Sequence, residues 1–146
     1  MGNKIAHTLL AVSPKRLLTV FYVRFASVSG LFSGLSMLSQ LHLRSCGLTS
    51  LDDADFSPLS GLQWLDLEFN QLTALSAGVL SSFAQLKFLD LDGNDIQQVD
   101  ALAFDGLGQL DSLHLTGNAF STLPRTVFRG LSKLRFLHID DNRVSG

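Results

Sequence analysis

One 24-residue period governs most of this chain. Leucine opens each copy at Leu38, Leu62, Leu86, Leu110 and Leu134. Three residues on stand Leu41, Leu65, Leu89, Leu113 and Leu137, and two further on Leu43, Leu67, Leu91, Leu115 and Ile139, with no insertion or deletion. A second column follows at Cys46, Asn70, Asn94, Asn118 and Asn142. Self-similarity this strict means a stacked architecture, in which one unit cannot bury its own apolar side and several neighbours together can.

The chemistry within one period fills in the unit. The L-x-L core alternates with a period of two, so it predicts a short strand with its leucines on one face and the intervening residues on the other. Successive copies then stack as parallel strands, leucines inward, about 4.8 Å apart. At the strand exit, an asparagine amide has donors and an acceptor, so a ladder of Asn70, Asn94, Asn118 and Asn142 can satisfy backbone groups enclosed in the stack. Cys46 stands in that ladder and reads as a buried structural thiol. Leu48, Leu72, Ile96, Phe120 and Val144, then Leu51, Leu75, Val99 and Leu123, are expected to fill the core. The chain returns through Phe56, Leu80, Phe104 and Phe128, each followed three residues later by Leu59, Phe83, Leu107 and Leu131. That spacing suits a 3-10 or irregular turn, and Pro58, Gly106 and Gly130 discourage anything longer.

The pattern L-x-x-L-x-L-x-x-N/C-x-L resembles that of leucine-rich repeat proteins, specifically the 24-residue repeats of receptor ectodomains. The resemblance covers residues 38–146, with copies starting at 38, 62, 86, 110 and 134 and the last one truncated. It implies an α/β fold: a right-handed solenoid, a horseshoe segment with a parallel concave sheet and short convex returns. Residues 15–37 read as a degenerate opening repeat or cap, in which Leu18, Val20, Phe25 and Val28 imitate the strand and turn spacing with one residue missing. Residues 1–14 form a separate N-terminal segment, either a weak secretory signal or part of the cap. Two features depart from the family. Many extracellular members close both ends with cysteine-stapled caps, which one cysteine cannot build. The last copy also lacks its convex return, so Leu134, Leu137 and Ile139 are expected at an open edge. The resemblance favours a secreted or ectodomain setting, with a cytoplasmic one still open.

Charge narrows the partners. The chain carries −2 overall, and residues 1–37 hold Lys4, Lys15, Arg16 and Arg24 with no acid, so the remainder carries −6. Acidic repeats and scattered cations make a poor phosphate-binding footprint, and no nucleic-acid partner is expected. No apolar run reaches the roughly 18 residues a spanning helix needs, because Arg24 breaks the run from Leu17 to Val28. There is no phosphate-cradling glycine loop, no H-E-x-x-H and no G-x-S-x-G, so the chain does not read as an enzyme and no cofactor is expected. The basic residues Arg125, Arg129, Lys133 and Arg135 read as a solvated face around the fourth return.

The residues between the strand leucines are the ones the repeat does not need for itself. They form three columns: Gln40, Trp64, Phe88, Ser112 and Phe136; His42, Asp66, Asp90, His114 and His138; Arg44, Glu68, Asp92, Thr116 and Asp140. Large aromatics beside clustered acids suit a protein or peptide that presents basic and apolar groups together. The competing reading is that Trp64, Phe88 and Phe136 cover the sheet flank or lie under residues 1–12, with the acids keeping a solvated face soluble. Asp90, His114 and His138 are of ligand type, but in-register side chains point away together, so no metal site is expected. The expected function is non-enzymatic recognition through the concave face by Trp64, Phe88, Phe136, His42, Asp66, Glu68, Asp90, Asp92, His114, His138 and Asp140. The alternative is a structural segment that pairs with more repeats or with itself through its C-terminal edge.

Overall fold

The computed structural model describes residues 16–19 and 28–144. Segment 1–14 and the residues Val20 and Phe25 lie outside them. Each leucine-x-leucine core is a three-residue strand: β2 Gln40–His42 and β3 Trp64–Asp66, with two counterparts at Phe88–Asp90 (β5) and Ser112–His114 (β7), and β8 Phe136–His138 at the end. Leu17–Thr19 (β1) precedes them. Together they form one six-stranded parallel sheet in the order β1-β2-β3-β5-β7-β8. Register is uniform from β2 onward, with Leu41 opposite Leu65, Leu65 opposite Leu89, Leu89 opposite Leu113 and Leu113 opposite Leu137. β1 joins with Leu18 opposite Leu41, a step one residue shorter than the others.

The inward leucines make the core. Leu41, Leu65, Leu89 and Leu113, and two residues on Leu43, Leu67, Leu91 and Leu115, have no exposed surface. On the far side a spine of phenylalanines closes the stack: Phe32 packs on Phe56 with ring centroids 5.5 Å apart, Phe56 on Phe83 at 5.7 Å, and Phe104 on Phe128 at 6.0 Å. Five of the chain's eleven phenylalanines lie in this spine. The returns are turns closed by i+3 to i hydrogen bonds, as from the Leu59 N–H to the Phe56 carbonyl and from the Leu86 N–H to the Phe83 carbonyl. One return begins with a single helical turn, α1 Asp53–Phe56, whose Asp52 cap accepts from the Ala54 N–H at 3.0 Å. A small second sheet, β4 Ala74–Leu75 paired with β6 Gln98–Val99, was not expected from the sequence. Val144 does not fill the core as expected: it is half-exposed, because no repeat lies beyond it among the described residues.

The asparagine ladder binds neighbouring coils together. Asn70 Oδ1 accepts from the N–H groups of both Cys46 and Leu48 at 3.0 Å, while its Nδ2 donates to the carbonyls of Leu43 and Leu67. Asn94 and Asn118 repeat the two carbonyl bonds one and two coils on, and each accepts from one N–H, that of Leu72 and of Ile96. One residue ahead of each ladder position the backbone turns left-handed, at Ser45, Phe69, Gly93, Gly117 and Asp141, with φ between 52° and 68°. This turn takes the chain off the strand and aims the asparagine inward. Gly93 is required there for a second reason: a Cβ on it would lie 2.3 Å from the ring of Phe69.

Candidate functional site

The open face of the sheet carries the three columns, one residue of each per strand. In the first, Trp64 lies flat on Phe88 with centroids 3.7 Å apart and planes 16° from parallel. Ser112 interrupts that column, and the stack passes to the second: Phe88 meets the ring of His114 at 5.0 Å, and His114 stacks on His138 at 4.4 Å. His42 flanks Trp64 from the other side at 6.3 Å. The result is a continuous band of rings across five strands. Such offset stacks contribute about 0.5–1.5 kcal/mol per pair beyond the area they cover, so they rigidify the face. Phe136 stands apart from the band. It is half-exposed, with the Arg135 guanidinium 5.4 Å from its ring centre.

Beside the band lie the acids, and they are not equivalent. Asp66 Oδ2 faces His42 Nδ1 at 3.3 Å, and Glu68 is bound by the Arg44 guanidinium, which also lies over the Phe69 ring at 4.7 Å. Asp90 and Asp92 have no Lys or Arg partner among the described residues. Asp90 Oδ1 accepts from the Asp92 N–H at 2.9 Å, and Asp92 Oδ1 accepts from the Thr116 N–H at 2.6 Å. Burial, together with the charges of Asp92, Glu68 and Asp66, pushes the Asp90 carboxyl up to about 7. Burial also raises Glu68 above the usual carboxylate range and, with His138 nearby, holds His114 below the usual imidazole value. Asp140 lies at the end of its column, exposed and outside the acid cluster.

Convergence on this face is greater than in-register strands alone would give. One ligand atom each from Asp90, Asp92 and His114 lie within 4.8 Å of one another, and Asp66, Glu68 and Asp90 make a second such trio. His138 joins neither. The cause is the strand exit: the Asp90 carboxylate holds the Asp92 backbone, which turns the third column back towards the second.

Sequence reasoning missed a groove along the edge where the strands begin. It has a volume of about 510 Å³ and is lined by Trp64 and Phe88 together with Lys87, Asp111, Lys133 and Arg135. Lys133 and Arg135 therefore belong to the sheet edge, apart from the convex return. Arg135 is bound to Asp111, whose carboxyl it holds below the usual range, and Lys133 donates to Gln109 Oε1 at 2.6 Å. Lys87, Asp111 and Arg135 immediately precede the strands, a position whose orientation the period-two pattern leaves open. No helix among the described residues is long and apolar enough to cross a membrane.

A parallel stack with buried leucines, an asparagine ladder and a variable open face defines a repeat recognition scaffold. The family profile for leucine rich repeats matches residues 36–96 and 89–144, and the chain belongs to that family. Among solved structures, the crystal structure of a TLR13–ssRNA13 complex superimposes with a TM-score of 0.76 at 31% sequence identity. The match covers 80% of this chain but only 16% of that one, so this chain spans about a sixth of that protein's length. Comparison with curated protein sequences gives no significant match. Both findings agree with the 24-residue, receptor-like repeat class, whose arrays generally serve recognition and carry no catalytic centre of their own.

Proposed function

We propose that this chain recognises a protein or peptide through its concave face, on the ring band of Trp64, Phe88, His114 and His138 and the acids alongside. The supporting observation is the pairing of a preformed, partly exposed Trp64–Phe88 stack with two carboxylates, Asp90 and Asp92, that have no Lys or Arg partner among the described residues. A partner that lays an apolar group on the rings and a Lys or Arg against Asp90 and Asp92 matches both halves. Phe136, Asp140 and the compensated pairs His42–Asp66 and Arg44–Glu68 form the rim of this surface. Residues 15–37 act as the cap of the array, a reading supported by the shortened register step of β1 and by Phe32 stacked on Phe56.

A second reading takes a single-stranded nucleic acid along the edge groove. In its favour are the aromatic wall with Lys87, Lys133 and Arg135, and the RNA present in the TLR13 complex. Against it, Arg135 and Lys133 are engaged by Asp111 and Gln109, and the adjoining face is acidic, so the protein or peptide reading is preferred.

Affinity capture from cell extract and from secreted fluid tests the proposal, with the wild-type chain beside Trp64→Ala/Phe88→Ala shown to keep its circular-dichroism spectrum. A protein held by the wild type and lost by the variant is expected. Anchors of this kind are worth about 2 kcal/mol or more, roughly thirtyfold in affinity. Equal capture by both chains, or capture only of further copies through the exposed β8 edge, overturns it. Nuclease-sensitive capture transfers the function to the groove.

A further inference from the structure

We propose that Asp90, Asp92 and His114 form a site for one divalent transition-metal ion of the zinc type on the open face of the sheet. The inference does not rest on the proposed function: an ion and a partner's Lys or Arg would compete for Asp90 and Asp92, so the test uses the chain without a partner.

Geometry comes first. The three ligand atoms already lie within 4.8 Å of one another. Donors sharing one ion through bonds of about 2.0–2.2 Å sit roughly 3.3–3.6 Å apart, so side-chain rotation of about an ångström completes the set. Each carboxylate commits one oxygen to a backbone N–H, Asp90 to that of Asp92 and Asp92 to that of Thr116. These bonds fix both carboxylates and leave a second oxygen of each for an ion. The remaining oxygen of Asp92, Oδ2, faces His114 Nδ1 at 3.8 Å, too far for a hydrogen bond.

The outer shell is present as well. Ser112 Oγ lies 2.9 Å from His114 Nε2, and His138 stacks on the same ring at 4.4 Å. A hydrogen bond at Nε2 fixes the imidazole plane and, with Nε2–H donating to the serine oxygen, presents the Nδ1 lone pair towards Asp92. Metal-bound histidines characteristically have such a partner on their other nitrogen.

Charge selects this trio over its neighbour. Glu68 of the other trio already has the Arg44 guanidinium, whereas Asp90 and Asp92 have no Lys or Arg partner among the described residues, only the His114 imidazole 3.8 Å from Asp92. A divalent ion supplies the positive charge they lack. One imidazole with two carboxylates favours a zinc-type ion over magnesium or calcium, which take oxygen donors. His114 and Asp92 are each about a quarter exposed, so a further coordination position opens to solvent.

The test is calorimetric titration of Zn²⁺ into the untagged, EDTA-treated and dialysed full chain at pH 7.5. His114→Gln, Asp92→Asn, Ser112→Ala and Glu68→Gln are run beside it, and circular dichroism confirms folding. Asp92→Asn keeps the oxygen that accepts from Thr116, and His114→Gln provides a second route to the same question. One ion per wild-type chain is expected, with binding weakened at least a hundredfold in His114→Gln and Asp92→Asn. Ser112 is a positioning residue, and its loss is expected to weaken binding by roughly tenfold. Glu68→Gln should stay within a few-fold of wild type. In ¹H–¹⁵N spectra of the imidazole rings, Zn²⁺ should shift Nδ1 of His114 selectively. Absence of saturable binding by the wild type overturns the site. So does binding that survives His114→Gln, or binding that Glu68→Gln abolishes while His114→Gln does not.

Discussion

Four asparagines occupy one sequence column, yet their replacement by alanine should cost very different amounts. Asn70→Ala removes the side-chain oxygen that accepts from two buried amides, those of Cys46 and Leu48, and with it the ladder bond to the Leu43 carbonyl. At about 1–3 kcal/mol per buried unsatisfied group, the cost is roughly 3–6 kcal/mol, a large share of a small domain's stability. Asn94→Ala orphans a single amide, that of Leu72, because both main carbonyls it serves keep another donor: Leu67 retains Asn70 and Leu91 retains Asn118. Its cost should be about 1–3 kcal/mol. Asn118, which accepts from the Ile96 amide, should match it. Asn142 accepts from no N–H, since its Oδ1 is unpartnered, and its loss strips only carbonyls that are shared or near solvent. About 1 kcal/mol is expected there. Equilibrium urea unfolding followed by far-ultraviolet circular dichroism and by the fluorescence of Trp64, the only tryptophan, measures the series. Coincident transitions confirm that the stack melts as one unit. Equal losses at the four positions, or a loss at Asn142 as large as at Asn70, would refute the idea that satisfied backbone groups, and not the residue type, set the value of the ladder.

Gly93→Ala should lose about 2 kcal/mol or more in the same assay, from left-handed backbone at φ 64° and the clash with the Phe69 ring. Pairing it with Phe69→Ala should recover the clash but not the backbone share, which a double-mutant cycle separates. Leu89→Ala, at a site with no exposure, should cost about 2–5 kcal/mol. Leu137→Ala, chemically identical but over a third exposed on the last strand, should cost clearly less. Asp90 predicts a pH effect, measured with EDTA present. Its carboxyl is pushed up to about 7 in the folded chain from an ordinary value of 3.8, so the folded state holds the proton more tightly. Its contribution to stability is therefore present below about pH 4 and is lost as pH rises to about 7. Asp90→Asn, which keeps an oxygen for the Asp92 amide, should be more stable than wild type at pH 7.5 and should flatten that slope; parallel wild-type and variant profiles would dismiss the effect.

The 24-residue spacing made the solenoid legible before any coordinates, because the period-two leucines and the following asparagine each have one arrangement that buries the first and satisfies the second. Strand positions, parallel register, core leucines and turn-like returns could all be read that way, as could the exposure of Leu137 and Ile139. The left-handed column was harder to see, since Ser45, Phe69, Gly93, Gly117 and Asp141 share a backbone conformation but no side-chain chemistry. The paired strands at Ala74–Leu75 and Gln98–Val99 are too short to leave an alternating pattern.

For the candidate site, sequence identified which residues share the open face but could not rank them. Column membership follows from which way a strand residue points, and that is a local property. Which acids have a cation, which rings touch and which ligands converge depend on side-chain rotation and on bonds between coils 24 residues apart. Thus Arg44 pairs with Glu68 and His42 faces Asp66 while Asp90 and Asp92 are held by backbone N–H groups, and Ser112 diverts the ring band from Phe136 to His114 and His138. By itself the sequence determined the frame, because burial of a periodic apolar column is a constraint every copy repeats. Only the tertiary structure decided the site, because its chemistry lies in the differences between copies and those act across the stack.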